Sequence, residues 1–349
     1  MSKKQKARQP RRPGWQSAVL AITAAVLGAT ACGDSSRSSA GPTPVTPGGP
    51  PSGPTVTPTE HLSELLRLME AEAANARRID WGLARAQVMA AAGAAQSIPD
   101  IYPAIAVALN MLDDFESHYR GSDGRLIGPS PEPACEPGVT ETPSLPDTIG
   151  YVRLNGCPCK GAAADQYAEA VQQTIRTADT PRLAGWIVDL REDRGGNMWP
   201  MIAGLGPILG EGIVGWIVYN NREYEREYRA GAALSLNEPF ARVAVPYTLI
   251  RPLPKIAVLT ADTTNSAGEA ITVFFKGRPD TRSFGAPTCG HHHLLSDFRM
   301  SNGATLTLKN AHNADRLKRT YAGRVVPDQV VTAPGEAVSR AVAWLLNQD

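Results

Sequence analysis

From His61 onward, apolar residues recur at three- and four-residue spacing. Leu62, Leu65, Leu66, Met69 and Ala73 share one face of a helix over residues 61–78. Residues 81–95 and 101–112 repeat the pattern, broken by Gly93, Pro99 and Pro103. The spacing predicts three short helices forming a bundle over residues 59–120. Gly, Pro and Ser dominate from Gly121 to Pro146, which predicts a long loop or lid over 121–147. Beyond it the pattern changes period. Short apolar runs at 149–154, 186–191, 213–219 and 255–261 read as strands, and 163–178 and 267–275 read as helices. Residues 304–308 and 329–332 are further strands, and 336–346 is a closing helix. Such alternation predicts an α/β domain with a largely buried sheet over 148–349.

The first residues follow neither pattern. Lys3, Lys4, Lys6, Arg8, Arg11 and Arg12 form a basic head ahead of the apolar run Trp15 to Ala31, and the small residues Ala29-Thr30-Ala31 precede Cys32. This is the layout of a secretory signal over 1–31, too short and too rich in Ala and Thr for a membrane span. Cys32-Gly33-Asp34 resembles a bacterial lipoprotein processing and lipidation site, although Ala29 stands where such sites prefer Leu. Cleavage near Ala31 with plain secretion is the other reading. Either way the chain is expected to be exported, periplasmic or at the cell surface, touching a membrane only through a lipid at Cys32. Residues 32–58 carry almost no large apolar side chain and are expected to form a disordered tether.

Composition narrows the classes of partner. A net charge of +1, from 35 basic and 34 acidic side chains, leaves no electrostatic footprint for nucleic acid. If Cys32 is lipidated, Cys135, Cys157, Cys159 and Cys289 remain, and two disulfides are possible in any of three pairings. A bond within Cys157-Pro158-Cys159 would be strained, and a free thiol is the alternative.

Two segments carry chemistry. In KIAVLTADTTNSAGEAITVFFKGR (255–278) a buried strand ends in a polar turn and Ser266 opens a helix. A hydroxyl there sits over free N–H groups and the positive end of the helix dipole, where an acyl-transfer oxyanion could be bound by the next amide, Ala267. Ser266-Ala267-Gly268-Glu269 is equally a capping box, which requires no catalysis. In GWIVDLREDRGGNMWPM (185–201) a strand runs into Gly195-Gly196, whose backbone is free to turn an amide toward a reacting carbonyl.

Together these segments resemble the tail-specific (C-terminal-processing) serine peptidases and their tricorn-core relatives. Asp189-Leu190-Arg191 before Gly195-Gly196 matches the family's glycine loop, and Thr264-Asn265-Ser266-Ala267-Gly268-Glu269 its nucleophile turn. Lys276-Gly277-Arg278, the turn at 285–290 and Pro327-Asp328 are further similarities. The resemblance implies a crotonase-like α/β core, with mixed sheet and flanking helices, behind the N-terminal bundle. The PDZ module of many members has no room here, because only about 30 loop-like residues separate the helices from Ile149. The resemblance also implies a peptide or protein substrate, an acyl-enzyme on Ser266, and an oxyanion site from the amides of Gly195 or Gly196 and Ala267. No metal or organic cofactor is implied.

The base departs from the pattern. Tail-specific members place a lysine after the Thr-x-Gly turn, where this chain has His291. Tricorn-like members take a histidine from a Ser-His-aromatic segment, here Ser117-His118-Tyr119. By resemblance His118 accepts the Ser266 proton and Ser117 orients it, with His291 as the backup base. Tyr321 stands near the position of a tricorn-like glutamate. Read alone, His118 is a cap at the end of a helix closing near Asp114. The run His291-His292-His293 suggests a metal, but consecutive residues point apart and no ligand-spaced carboxylate accompanies them, although His312 could approach. The alternatives to a peptidase are therefore a catalytically inactive peptide- or ligand-binding member of the same fold and, less favoured, a metal-dependent hydrolase. Oligomeric state is left open.

Overall fold

A computed structural model describes residues 56–129, 135, 142–219, 222–292, 294–331, 333 and 335–347. The signal segment, Cys32, most of the tether, His293 and residues 130–134 and 136–141 of the expected lid lie outside the described residues.

Thr57 caps the first helix, α1 (Pro58–Glu72), and the Glu60 carboxylate returns to the Thr57 amide at 2.9 Å. The buried stripe His61, Leu62, Leu65, Leu66 and Met69 packs with α2 (Trp81–Ala92) and α3 (Tyr102–Asn110). The chain then forms β1 (His118–Arg120), β2 (Leu126–Ile127), β3 (Ile149–Arg153), α4 (Ala162–Ala178), β4 (Gly185–Asp189) and α5 (Met198–Leu209). Next come β5 (Gly212–Tyr219), β6 (Arg222–Arg229), β7 (Ala232–Ser235), β8 (Glu238–Arg242), β9 (Lys255–Thr260) and α6 (Ala267–Phe275). The last elements are β10 (Thr281–Gly285), β11 (Leu294–Arg299), β12 (Thr305–Ala314), β13 (Gln329–Val330) and α7 (Glu336–Leu345).

Two sheets organise these elements, giving a mixed α/β architecture. The first is parallel, in the order β13-β10-β9-β4-β3. Its strands alternate between two buried faces. Ile187, Ala257 and Leu259 pack on Ala337, Ala341 and Leu345 of α7, while Trp186, Val188, Ile256 and Val258 face α4, α5 and α6. The second sheet is antiparallel, in the order β2-β1-β12-β5-β6-β7-β8, with β11 also on β12. The N-terminal helices share a core with it, through Tyr119, Leu306 and Leu308.

His118 does not close a helix as its sequence context suggests. Helix α3 stops at Asn110, and the Asp114 carboxylate accepts the amides of Glu116 and Ser117 at 3.1 and 2.7 Å. That turn sends His118 into β1, opposite Thr307 of β12. The carboxyl ends of β4 and β9 lie side by side, with Asp189 opposite Leu259, and the loops leaving them meet. This edge of a parallel sheet is where α/β folds usually place their sites.

Candidate active site

The turn after β9 is held by side chains before it reaches Ser266. The Thr264 hydroxyl accepts the Ala261 amide at 3.0 Å and donates to the Leu190 carbonyl at 2.9 Å, and Thr263 donates to the Arg191 carbonyl. The Asn265 amide donates to the Asp193 carbonyl at 2.9 Å. These bonds fasten the nucleophile turn to the loop after β4. Ser266 then takes φ 51° and ψ −114°. An ordinary N-cap is extended, and this region is costly for any residue with a Cβ. Strain of this kind at a strand-to-helix turn is what exposes the hydroxyl in nucleophile elbows.

The glycine loop is pressed against that serine. A Cβ on Gly195 (φ 92°) would fall 2.5 Å from the Ser266 Cβ, and one on Gly196 (φ 109°) would fall 2.3 Å from the Cys157 carbonyl. Cys157 donates to the Gly195 carbonyl at 2.9 Å and accepts the Asn197 amide at 2.7 Å, and Asn197 Nδ2 reaches the Cys159 carbonyl at 3.1 Å. Cys157 and Cys159 are joined by a disulfide, so the bond that looked unfavourable from sequence lies directly behind the glycines. The Gly195 amide donates to Asp193 Oδ1 at 2.9 Å. That amide is therefore already engaged by a protein acceptor. Among the described residues neither the Gly196 nor the Ala267 amide donates to a protein acceptor. Beside these glycines an open cleft of about 620 Å³ is lined by Asn155, Gly156, Pro158, Glu192 and Arg194.

Glu269 does more than cap α6. Fully buried, its carboxylate accepts the Ser266 amide at 3.0 Å, the Thr288 hydroxyl at 2.5 Å, the Gly290 amide at 2.7 Å and the His291 amide at 2.7 Å. Burial pushes its carboxyl up, against the pull of these donors. The nucleophile and His291 thus hang on one carboxylate oxygen. The Cys289 amide adds a bond to the Thr264 carbonyl at 2.9 Å, and Cys289 is disulfide-bonded to Cys135 from the expected lid.

His118 Nδ1 is 2.9 Å from the Glu116 carbonyl. A protonated Nδ1 donates to that carbonyl, and in a neutral ring so oriented Nε2 is the acceptor. In this structure the group on His118 Nδ1 is the Glu116 backbone carbonyl, while Ser117 bonds elsewhere. The buried Ser117 hydroxyl donates to Asp114 at 2.9 Å and accepts the Lys309 amide at 3.0 Å. Glu116 lies in the field of Lys309, His291 and His292, which brings the His118 segment toward the His291 loop; burial raises its carboxyl pKa and those charges oppose the rise. Among the hydrogen bonds of the described residues, none joins Ser266 to the His118 or His291 imidazole. Such bonds often tighten only around substrate.

Other residues picked out from the sequence are structural here. Asp189 is buried against Arg191 at 2.7 Å and Arg153 at 2.9 Å and accepts the Tyr151 hydroxyl at 2.7 Å. Burial works to raise its pKa, but the hydrogen bonds and charge of Arg191, with Tyr151 and Arg153, hold it below the usual carboxylate range. Lys276 bridges Asp328 at 2.8 Å and the Ser283 hydroxyl at 2.9 Å, so the Lys-Gly-Arg and Pro-Asp motifs tie α6 to β10 and the approach to β13. Tyr321 donates to Asp315 at 3.0 Å. His292 is buried on the Gly323 carbonyl at 2.8 Å. Burial, with Lys309 and Arg78 nearby, lowers His312 to about 4.

With this geometry in place, comparison with known proteins is specific. The model of Peptidase family S41 matches residues 148–331. The nisin-resistance protein of Lactococcus lactis subsp. lactis is 25% identical over 255 residues, 73% of this chain and 75% of that protein. A lipoprotein from Streptococcus agalactiae superposes with TM-score 0.55 at 20% identity, over 84% of this chain and 97% of that one. A suspected peptidase from Parabacteroides merdae gives TM-score 0.56 at 15% identity, over 84% and 95% of the two chains. At these identities the structural likenesses establish the fold alone.

Proposed function

The chain belongs to peptidase family S41, and on that premise we propose that it is an exported serine endopeptidase that cleaves peptide bonds through an acyl-enzyme on Ser266. The observation that carries this reading is the backbone of Ser266, held at φ 51° over the start of α6 with Gly195 against its Cβ. A cap has no use for that strain.

In the proposed mechanism an extended peptide lies along the cleft beside Gly195 and Gly196. His118 Nε2 takes the Ser266 proton as the hydroxyl oxygen attacks the scissile carbonyl carbon. The amides of Gly196 and Ala267 receive the oxyanion, favoured by the α6 dipole. His118 then returns the proton to the leaving amine, and water repeats the sequence to free the acid. Ser117 supports this base indirectly by building the Asp114 turn. His291, held by Glu269, is the backup base. The layout proposed for the rest of the chain is a signal over 1–31, a tether over 32–58, the helical bundle over 59–120, a lid over 121–147 and the peptidase core beyond. Export is supported by the basic and apolar N-terminus and by likeness to a lipoprotein and a nisin-resistance protein. No described helix is long and apolar enough to cross a membrane.

A fluorophosphonate probe tests the reading. Wild type is expected to label at Ser266, Ser266→Ala not at all, and His118→Ala at least about a hundredfold more slowly. Strong slowing in His291→Ala with normal His118→Ala would transfer the base to His291. A folded wild type that never labels would favour the inactive, peptide-binding member of the fold.

A further inference from the structure

Asp193 is a buried titratable group beside the nucleophile turn that the proposed mechanism does not use. Its side chain has no solvent exposure. It is wedged between the two turns that flank Ser266. Oδ1 accepts the Gly195 amide at 2.9 Å, its own carbonyl accepts the Asn265 amide at 2.9 Å, and a Cβ on Gly268 would fall 2.9 Å from its Cβ and Cγ. Oδ2 is buried with no hydrogen-bond partner.

The charges around it leave that oxygen unneutralised. On its own loop Arg191 is engaged by Asp189 at 2.7 Å, while Glu192 and Arg194 line the cleft. Tyr167 faces it from α4, and its hydroxyl donates to the Asn155 carbonyl at 2.8 Å. From the nucleophile turn come Asp262, paired with Arg324 at 2.6 Å, and, on α6, Glu269. Among the described residues no cation pairs with Asp193. An ionised oxygen buried without a donor is far more costly than a neutral hydroxyl in the same place. Burial pushes this carboxyl up to about 7.

We propose that Asp193 is a positioning residue that holds the oxyanion-binding turn through the Gly195 amide and does so productively as the neutral acid, its ionisation acting as a brake on catalysis. The neutral carbonyl oxygen still accepts the Gly195 amide and keeps the next amide, that of Gly196, turned outward. Ionisation places a negative charge against the Gly195 amide, next to the Gly196 amide where a second negative charge must form, which raises the barrier. The inference rests on the peptidase reading and adds a pH limit that the base alone does not impose. A histidine base makes activity climb with pH, and Asp193 opposes that climb above neutrality.

Asp193→Asn keeps the amide acceptor and cannot ionise, whereas Asp193→Ala removes the acceptor. Probe-labelling rates and peptide kcat and KM are measured from about pH 5.5 to 8.5 for all three proteins. The ratio of Asp193→Asn to wild type cancels the titration of the base. It is expected to rise about tenfold through neutral pH. Asp193→Ala is expected to lose about 10- to 100-fold in kcat at every pH, with KM less affected. A flat ratio, or an Asp193→Asn protein that folds yet is slow throughout, overturns the proposal while leaving Ser266 as nucleophile. Wild type that labels at no pH defeats the peptidase reading and this inference together. In carbon-13 spectra of aspartate-labelled protein, a carboxyl titrating near neutrality in wild type and missing from Asp193→Asn is expected, and titration of all of them below about pH 5 overturns the assignment.

Discussion

Ser266 holds a conformation that costs a residue with a Cβ about 1–3 kcal/mol, and three neighbouring chain segments keep it there. Glycine pays little of that cost. Ser266→Gly is therefore expected to gain about 1 kcal/mol of stability, read as a higher denaturant midpoint, while losing all probe labelling. Ser266→Ala is expected to stay close to wild type in stability. A destabilised glycine variant would count against strain at this position. Much of this site was legible from sequence, since the serine, its helix and the glycine loop are local signals. Glu269 and Asp193 were not. Glu269 reads as a cap from its own neighbourhood, and its other role depends on Thr288, Gly290 and His291, residues brought to it only by folding. Asp193 matters because of what its second oxygen lacks, which no spacing rule reports.

The elements show the same division between local and distant causes. The central strands of the parallel sheet, β4 and β9, are buried on two faces, and the strands read from sequence as short apolar runs start and stop within a few residues of their expected bounds. Strand β6, REYEREYR, was missed because its charged residues mask the period of two, and only Arg226 and Tyr228 are buried. Pairing with β5 and β7 makes it a strand. Helix α5 was missed for the opposite reason: nine of its 12 residues are buried, so it has no polar face to reveal a period, and Pro207 sits inside it. At the glycine loop, element and site meet. Gly195→Ala would drive a methyl into the Ser266 Cβ. It is expected to cut labelling by about a hundredfold or more, with circular dichroism unchanged. Full activity in that variant would show the loop to be free of the nucleophile.

At the scale of the molecule, the helical bundle and the antiparallel sheet share one core, and the candidate site lies at the carboxyl ends of β4 and β9 in the parallel sheet. Both disulfides touch that site. One backs the glycine loop, and the other joins residues 154 apart to hold the turn before His291. Removing such a cross-link costs about 2–5 kcal/mol, more for longer loops. Treatment with a thiol reductant is expected to lower the unfolding midpoint and to slow Ser266 labelling. Cys135→Ser should reproduce most of the stability loss. Unchanged labelling after complete reduction would make both bonds purely structural.

The Cys135–Cys289 link has a consequence for when the molecule is finished. The bonds of Glu269 and Thr264 to the His291 loop form as the chain folds, but this link also needs an oxidant. A chain in reducing surroundings thus acquires its nucleophile turn before its last tether. Completion of the site is tied to the redox state of its surroundings as well as to its sequence.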